Sequence, residues 1–248
     1  MIPARLQATR LPNKPLRNIA DKPLIAHAWQ QAKKADLGEV YVACGEEEIQ
    51  NIIESEGGRA IRTPIDLPSG TDRIFHALQQ VSNAKPDDII INLQGDIAVM
   101  PEDTLHSLVS IFQHQPDADI ATLANFFAHK EEADNPHHVK IVGHEVNSSP
   151  SIWQAYYFSR TKMPYEADAR HILPLFHHIG IYAYRYQALE KFVQEPPADL
   201  EKLEKLEQLR ALKLNQKIYF TPIKGKVWSV DTQEDLDKVE QFIIKGDI

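Results

Sequence analysis

Asp88-Ile89-Ile90-Ile91-Asn92-Leu93-Gln94-Gly95-Asp96 is the stretch from which the rest of the chain can be read. Residues 88–93 form a short apolar run dominated by isoleucine, the pattern of a strand buried on both faces. Such strands belong to parallel sheets covered by helices, and in open sheets of that kind ligands bind beyond the carboxyl ends of the strands. Gln94, Gly95 and Asp96 stand at that end. Gly95 permits a tight turn, and Asp96 projects from the strand tip. A carboxylate there, beside a bound triphosphate, is a natural Mg2+ ligand, because that ion is typically held by one or two carboxylates plus phosphate oxygens. The competing reading is an Asp that caps the next helix. Pro101-Glu102-Asp103 starts that helix late for such a cap.

The flanking sequence repeats the alternation. Residues 39–43 read as a strand, 46–56 as a helix ending at Gly57-Gly58, 60–63 as a strand and 69–81 as a helix. Ser69 with Asp72 three residues on resembles a capping box. At residues 101–103 an early proline and two acids open a further helix. Strand and helix in alternation imply an α/β fold with a mostly parallel sheet and helices on both faces. From residue 125 to 186 the chain is richer in aromatics, histidine and proline, with strands expected at 138–142, 153–158 and 179–184. These form a smaller mixed or antiparallel extension within one domain spanning 1–248. A helix over 199–214, a strand at 217–221 and a last helix from Thr232 complete the chain, with Thr232 as N-cap and Glu234 and Asp235 in the first turn.

Composition narrows the function. The 248 residues carry a formal net charge of -8, which argues against general nucleic-acid binding. One cysteine, Cys44, excludes an internal disulfide and reads as a buried strand-end thiol. No signal peptide opens the chain and no apolar run has the length of a membrane helix, so a cytoplasmic location without membrane insertion is expected. Against this acidic background Arg5, Arg10 and Lys14 crowd a proline-rich segment, Pro3-Ala4-Arg5 and Arg10-Leu11-Pro12-Asn13-Lys14-Pro15. Proline removes amide donors and fixes φ, so the cations sit on a shaped loop suited to a polyanion such as a triphosphate.

Other motifs are open when taken alone. Ser69-Gly70-Thr71-Asp72-Arg73 can offer helix-start amides to a base edge or phosphate, or can be an ordinary cap. Asp231, in Val230-Asp231-Thr232, is a second carboxylate before a helix, or else a cap. Leu200, Leu203, Leu206, Leu209 and Leu212 sweep a broad arc on the helix expected over 199–214. Glu207 and Arg210 fall inside that arc. A covered Glu207 needs a partner, either a salt bridge or, with Gln208, a polar ligand. The adjacent pairs His137-His138 and His177-His178 point apart on strands and make no two-histidine metal clip. Walker A, GxGxxG, GxSxG and zinc-finger spacings are absent. Nucleotidyl transfer driven by cations and a metal is the reaction class that remains.

These segments, with Tyr157-Phe158-Ser159-Arg160, His178-Ile179-Gly180-Ile181-Tyr182 and Glu204-Lys205-Leu206-Glu207-Gln208-Leu209-Arg210, occur in the order seen in 3-deoxy-manno-octulosonate cytidylyltransferases, which the chain resembles over nearly its whole length. The resemblance implies a Rossmann-like nucleotidyltransferase fold, a homodimer, Mg2+ as cofactor, and the conversion of CTP and the acid sugar Kdo to CMP-Kdo and pyrophosphate for lipopolysaccharide synthesis. It further implies that Pro3, Ala4, Arg5, Arg10, Lys14, Ser69, Gly70, Thr71, Arg73 and Gln94 bind nucleotide. Gln94, Arg160, His178, Tyr182, Glu207 and Gln208 would shape the sugar pocket. Asp96 and Asp231 would hold the metal and, with Arg10 and Lys14, form the catalytic set. Related acid sugars, such as 8-amino-Kdo or a sialic-acid-like compound, are the alternative substrates. A weakly catalytic nucleotide-binding homodimer is the alternative class. The chain departs from the family's usual pattern at Ile97-Ala98, where an acidic residue, Gln or Leu and then Pro are common, and at Gly45, where Asp is common.

Overall fold

The apolar runs of the first ninety residues become strands, and their amphipathic neighbours become helices. The computed structural model describes residues 1–7, 10–81, 84–165 and 174–245. In chain order the first elements are β1 (Ile2–Ala4), β2 (Asn18–Ile19), β3 (Lys22–Pro23), α1 (Leu24–Lys34), β4 (Tyr41–Cys44), α2 (Glu47–Ser55), β5 (Arg59–Arg62) and α3 (Gly70–Leu78). Next come β6 (Ile89–Asn92), β7 (Ile97–Val99), α4 (Thr104–His114) and β8 (Ile120–Phe126). The long strands β9 (Lys140–Ser148), β10 (Ser151–Ser159) and β11 (Phe176–Arg185) precede α5 (Tyr186–Gln194), α6 (Asp199–Glu204) and α7 (Leu209–Lys213). The chain closes with β12 (Ile218–Pro222), β13 (Trp228–Ser229) and α8 (Gln233–Lys245).

Two units emerge. The first comprises Met1–Lys85, Ile91–Leu105 and Lys226–Ile248. Its sheet has the order β1-β4-β5, all parallel, with Ile2 opposite Val42 and Cys44 opposite Arg62. The β4 side chains Val42, Ala43 and Cys44 are fully buried. Burial pushes the Cys44 thiol up to about 11, as suits an inert strand-end cysteine. Residues 91–93 run alongside β1, where the Leu93 amide donates to the Met1 carbonyl.

A second ladder in this unit has no counterpart in the sequence reading. β7 pairs antiparallel with β13, Val99 opposite Trp228 and Ile97 opposite Ser229. Ala98, Val99, Val230, Leu236 and Val239 share one apolar cluster with Leu11, Ile19 and Leu24. Each fully buried Val or Leu contributes about 1.5–3 kcal/mol, enough to hold so short a ladder. Ile97 and Ala98 are therefore core residues, 4% and 0% exposed. The helix expected to open at Pro101 begins at Thr104.

The second unit, Pro86–Ile90 and His106–Gly225, is built on a mixed sheet of order β6-β11-β8-β12-β10-β9. Ile89 and Ile90 of β6 belong here, and the chain passes into the first unit within that strand. β12 runs parallel to β8, and β11–β8, β10–β12 and β10–β9 are antiparallel. β9 also meets β11 at Ile141 and Phe176. Expected as the smaller part, this mixed sheet is the larger of the two. Phe158, Phe220, Ile181 and Leu123 are fully buried in it.

The helix expected over 199–214 is broken. α6 stops at Glu204, Lys205 takes a left-handed conformation (φ 55°), and α7 starts at Leu209. Arg160 explains the stop. Its amide and the Ser159 hydroxyl donate to the Glu204 carboxylate, while its Nε donates to the Glu204 carbonyl that a continuing helix would need. The leucine stripe splits accordingly. Leu200 and Leu203 are exposed, whereas Leu206 and Leu209 are buried. Arg210 pairs with Glu201, at 2.6 and 3.0 Å.

Candidate active site

The nucleotide and metal candidates converge inside the first unit. Pro3, Ala4, Arg5, Arg10, Lys14, Ser69, Gly70, Arg73, Gln94, Asp96 and Asp231 all line one pocket of about 330 Å³. Local sequence aims each part. Asn13 adopts a left-handed conformation (φ 56°) that starts a single 3-10 turn at Lys14, with Pro15 buried behind it. Asn tolerates that region better than most residues, and proline early in a helical turn is preorganised. The turn holds Lys14 inward, so its Nζ donates to Asp96 Oδ2 at 2.7 Å and to Asp231 Oδ1 at 3.1 Å. Arg10 Nη2 lies 3.1 Å from Asp231 Oδ2.

The β7–β13 ladder is what joins the two aspartates. At its end the Val230 amide donates to the Asp96 carbonyl, so residues 96 and 231 leave adjacent strands side by side. Asp231 is not the helix cap. The Asp235 amide donates to the Thr232 hydroxyl, and the Asp235 carboxylate in turn accepts from the amides of Asp231 and Thr232. Burial works against the Asp235 carboxylate, but these bonds outweigh it and hold its pKa below the ordinary value. With the cap supplied by its neighbours, the Asp231 side chain is left to face Lys14.

Burial pulls the Lys14 ammonium down, yet Asp96 and Asp231 prevail and raise it above its ordinary value. The ammonium stays charged between two carboxylates, so the pair can hold a cation, since it holds one already. Among the described residues no group of three or more His, Cys, Asp or Glu side chains could hold a metal. A carboxylate pair without further protein ligands suits a hard ion that takes its remaining oxygens from phosphate.

The pocket's other wall is Ser69 and Gly70. Ser69 caps α3 by accepting the Asp72 amide at 3.1 Å, as the spacing predicted. Thr71 does not line the pocket. It is 2% exposed, and its hydroxyl accepts from Asn92 Nδ2, while Asn92 Oδ1 accepts from Gln94 Nε2 at 3.2 Å. Thr71 thus reaches the site only through the Gln94 amide. Asn92 was missed; its position in the strand two residues before Gln94, on the same side of the pleat, is the signal that could have found it.

Arg73 is 2% exposed and donates to the Thr63 hydroxyl and to the Pro64 and Ile65 carbonyls. Burial lowers its pKa. Its main work is to tie down residues 63–65. A Cβ on Gly45 would come within 3.3 Å of its guanidinium, so glycine there leaves Arg73 its place. Glu46, also missed, accepts the Leu6 amide at 3.1 Å and anchors the start of the cationic loop. Gly95 is needed for a reason other than a turn. A Cβ there would meet the Pro3 carbonyl at 2.7 Å, a contact real Cβ atoms do not make.

The sugar candidates other than Gln94 belong to the second unit. Arg160 donates to the carbonyls of Pro136, Glu204 and Lys205. β11 has a bulge between Ile179 and Tyr182, where two extra residues lie opposite Leu123-Thr122. Four residues of regular strand span about 13 Å, but the bulge brings the His178 and Tyr182 rings to 5.4 Å. The Thr122 hydroxyl sits at this bulge, 3.0 Å from His178 Nε2 and within bonding distance of the Ile179 and Ile181 carbonyls. That hydroxyl has one proton to give among these three atoms, and the His178 tautomer sets whether Nε2 donates or accepts.

Burial, with His177 adding to it, pushes His178 down to about 3. Burial, with Tyr184 and Glu207 adding to it, raises Tyr182 well above its ordinary value. Both rings are neutral at pH 7. His177 faces the other way and stacks on Phe127, its ring 4.8 Å from that of His138. Glu207 is half-buried, and Gln208 Nε2 is buried with no hydrogen-bond partner among the described residues.

The cytidylyltransferase family profile matches residues 1–218. A 3-deoxy-manno-octulosonate cytidylyltransferase of Methylobacterium radiotolerans is 42% identical over 243 residues, covering 98% of this chain and 95% of the relative. One of Brucella anthropi is 43% identical over 246 residues, 99% of this chain and 96% of its own length. Among solved structures, CMP:2-keto-3-deoxy-manno-octonic acid synthetase complexed with CTP matches with a TM-score of 0.89 at 35% identity, over 99% of this chain and 97% of its own. UDP-glucose pyrophosphorylase shares the fold at a TM-score of 0.67 and 15% identity. No helix among the described residues is long and apolar enough to cross a membrane.

Proposed function

This chain belongs to the cytidylyltransferase family, and we propose that it activates 3-deoxy-manno-octulosonate with CTP, releasing CMP-Kdo and pyrophosphate for lipopolysaccharide synthesis. The observation that carries the reading is the pocket of the first unit, where Lys14 and Arg10 meet Asp96 and Asp231 beside Arg5, Gly70 and Gln94. CTP is bound in the solved neighbour, and the relatives' names give the sugar. The Gln208 amide, buried without a hydrogen-bond partner among the described residues, favours a polar ligand there, because a buried donor left unsatisfied costs about 1–3 kcal/mol.

The anomeric hydroxyl of the sugar attacks the α-phosphorus. An oxygen–phosphorus bond forms, the bond from that phosphorus to the bridging oxygen breaks, pyrophosphate leaves, and the hydroxyl proton passes to water. No protein nucleophile is required. Arg5, Arg10 and Lys14 hold the phosphates, Ser69 and Gly70 with Gln94 line the cytidine side, and Arg160, His178, Tyr182, Glu207 and Gln208 orient the sugar. Alignment and charge neutralisation are the protein's contribution. Asp96 and Asp231 would hold Mg2+, which when bound supplies charge against the phosphate oxygens and lowers the pKa of the attacking hydroxyl. The enzyme would act as a cytoplasmic homodimer, with residues 125–186 as its sugar-binding and dimerisation extension.

The test is pyrophosphate release from CTP with Mg2+ and a panel of acid sugars. Release with Kdo, and none with CTP alone, is expected. Release only with 8-amino-Kdo or a sialic acid would reassign the substrate. CTP binding without release for any sugar would make the chain a nucleotide binder.

A further inference from the structure

The pocket contains a contradiction in charge. Lys14 is assigned to the triphosphate and the two aspartates to a divalent ion, yet here Lys14 itself bridges Asp96 and Asp231. The contact is not a loose surface pair. The Lys14 side chain is 17% exposed and that of Asp96 26%. The backbone aims it, through left-handed Asn13 and buried Pro15, and the Val230–Asp96 hydrogen bond fixes the spacing of its two partners. Without the lysine, two carboxylates would face each other beside a half-buried pocket, an arrangement that raises the energy of at least one ionised form. Arg10 completes the balance on Asp231.

Resting on the function proposed above, we propose that Lys14 is an internal placeholder for the divalent cation. It occupies the carboxylate pair while the pocket is empty, and it is handed to the phosphates when metal and nucleotide arrive together. A single ammonium cannot stay against Asp96 and Asp231 at these distances and also be given up to a phosphate. A metal entering alone must displace it and leave it without a partner in a half-buried site. Nucleotide supplies the new partner. Metal and CTP therefore bind with positive cooperativity that is routed through this side chain, and the coupling is reciprocal.

The experiment measures Mn2+ binding by calorimetry and by the Mn2+ spin-resonance signal, with and without CTP, in the wild-type chain and in Lys14→Met. Without nucleotide, Lys14→Met should bind Mn2+ at least tenfold more tightly than wild type, because the competitor is gone. The gain in Mn2+ affinity on adding CTP should shrink by a similar factor. If Lys14→Met does not fold, Lys14→Gln, which keeps a donor and drops the charge, should move both quantities in the same directions. Unchanged or weaker Mn2+ binding to the nucleotide-free variant overturns the placeholder. That outcome is distinct from failure of the functional reading, which would appear as a wild-type chain that neither binds CTP nor releases pyrophosphate.

Discussion

Two ion pairs, one in each unit, show opposite uses of the same chemistry. In the second unit Arg210 and Glu201 are 6% and 10% exposed. Arg210 Nη1 also donates to the Phe192 and Glu195 carbonyls, and its guanidinium lies 4.6 Å from the centre of the Phe192 ring. Glu201 reaches back to the Ala198 amide at the start of α6. That pair is closed, and its donors are spent on the fold. In the first unit Arg10 and Asp231 are 61% and 43% exposed, and Lys14 joins them across the pocket. That group is open to solvent on one side and can exchange partners. An ion pair that stabilises structure is surrounded by protein, and one that binds ligand keeps a face to water.

Three substitutions or conditions would break or sharpen this contrast. The largest effect is expected from Asp96→Asn, which removes charge from the open group. Turnover should fall by about a hundredfold or more, measured as pyrophosphate release, while thermal melting stays near wild type. Normal kcat would remove Asp96 from the catalytic set. Next, Glu201→Gln removes the negative charge from a buried ion pair and should cost about 3–5 kcal/mol in urea unfolding, with kcat per folded molecule unchanged.

The third effect is acid sensitivity carried by the second unit. His178 and His177 are held at about 3 and about 4, below the ordinary 6.5, chiefly by burial. The unfolded chain therefore binds more protons than the folded one below pH 6.5. Stability should be unaffected above that value and should fall, by about 1.4 kcal/mol per pH unit for each such histidine, as pH drops toward the folded values. Urea midpoints between pH 7 and 5 read the slope, and His178→Gln should flatten it.

Much of the first unit was legible in the sequence. β4, α2, β5 and α3 appear within one to three residues of their expected bounds, because each carries a local signal: an apolar run, an acidic first turn, a capping serine at Ser69. The cationic loop was legible for the same reason, proline next to Arg and Lys. β7 and β13 were not, since strands of three and two residues carry no periodicity. Nor was the break at Lys205, whose cause lies in Arg160, 45 positions away. Thr71 was assigned to the ligand and is buried, because a helix's first turn points its residues in several directions and only packing decides which meet the pocket.

By itself the sequence determined the residue types, the alternation of strand and helix, and the presence of three cations and two aspartates suited to a nucleotide and its metal. Only the tertiary structure decided that Asp96 and Asp231 meet, that Lys14 stands between them, and that a bulge draws His178 to Tyr182. The reason is physical. Helices, caps and buried strands are set by interactions among near neighbours along the chain. A site assembled from residues 82 and 217 positions apart depends on which apolar surfaces bury each other.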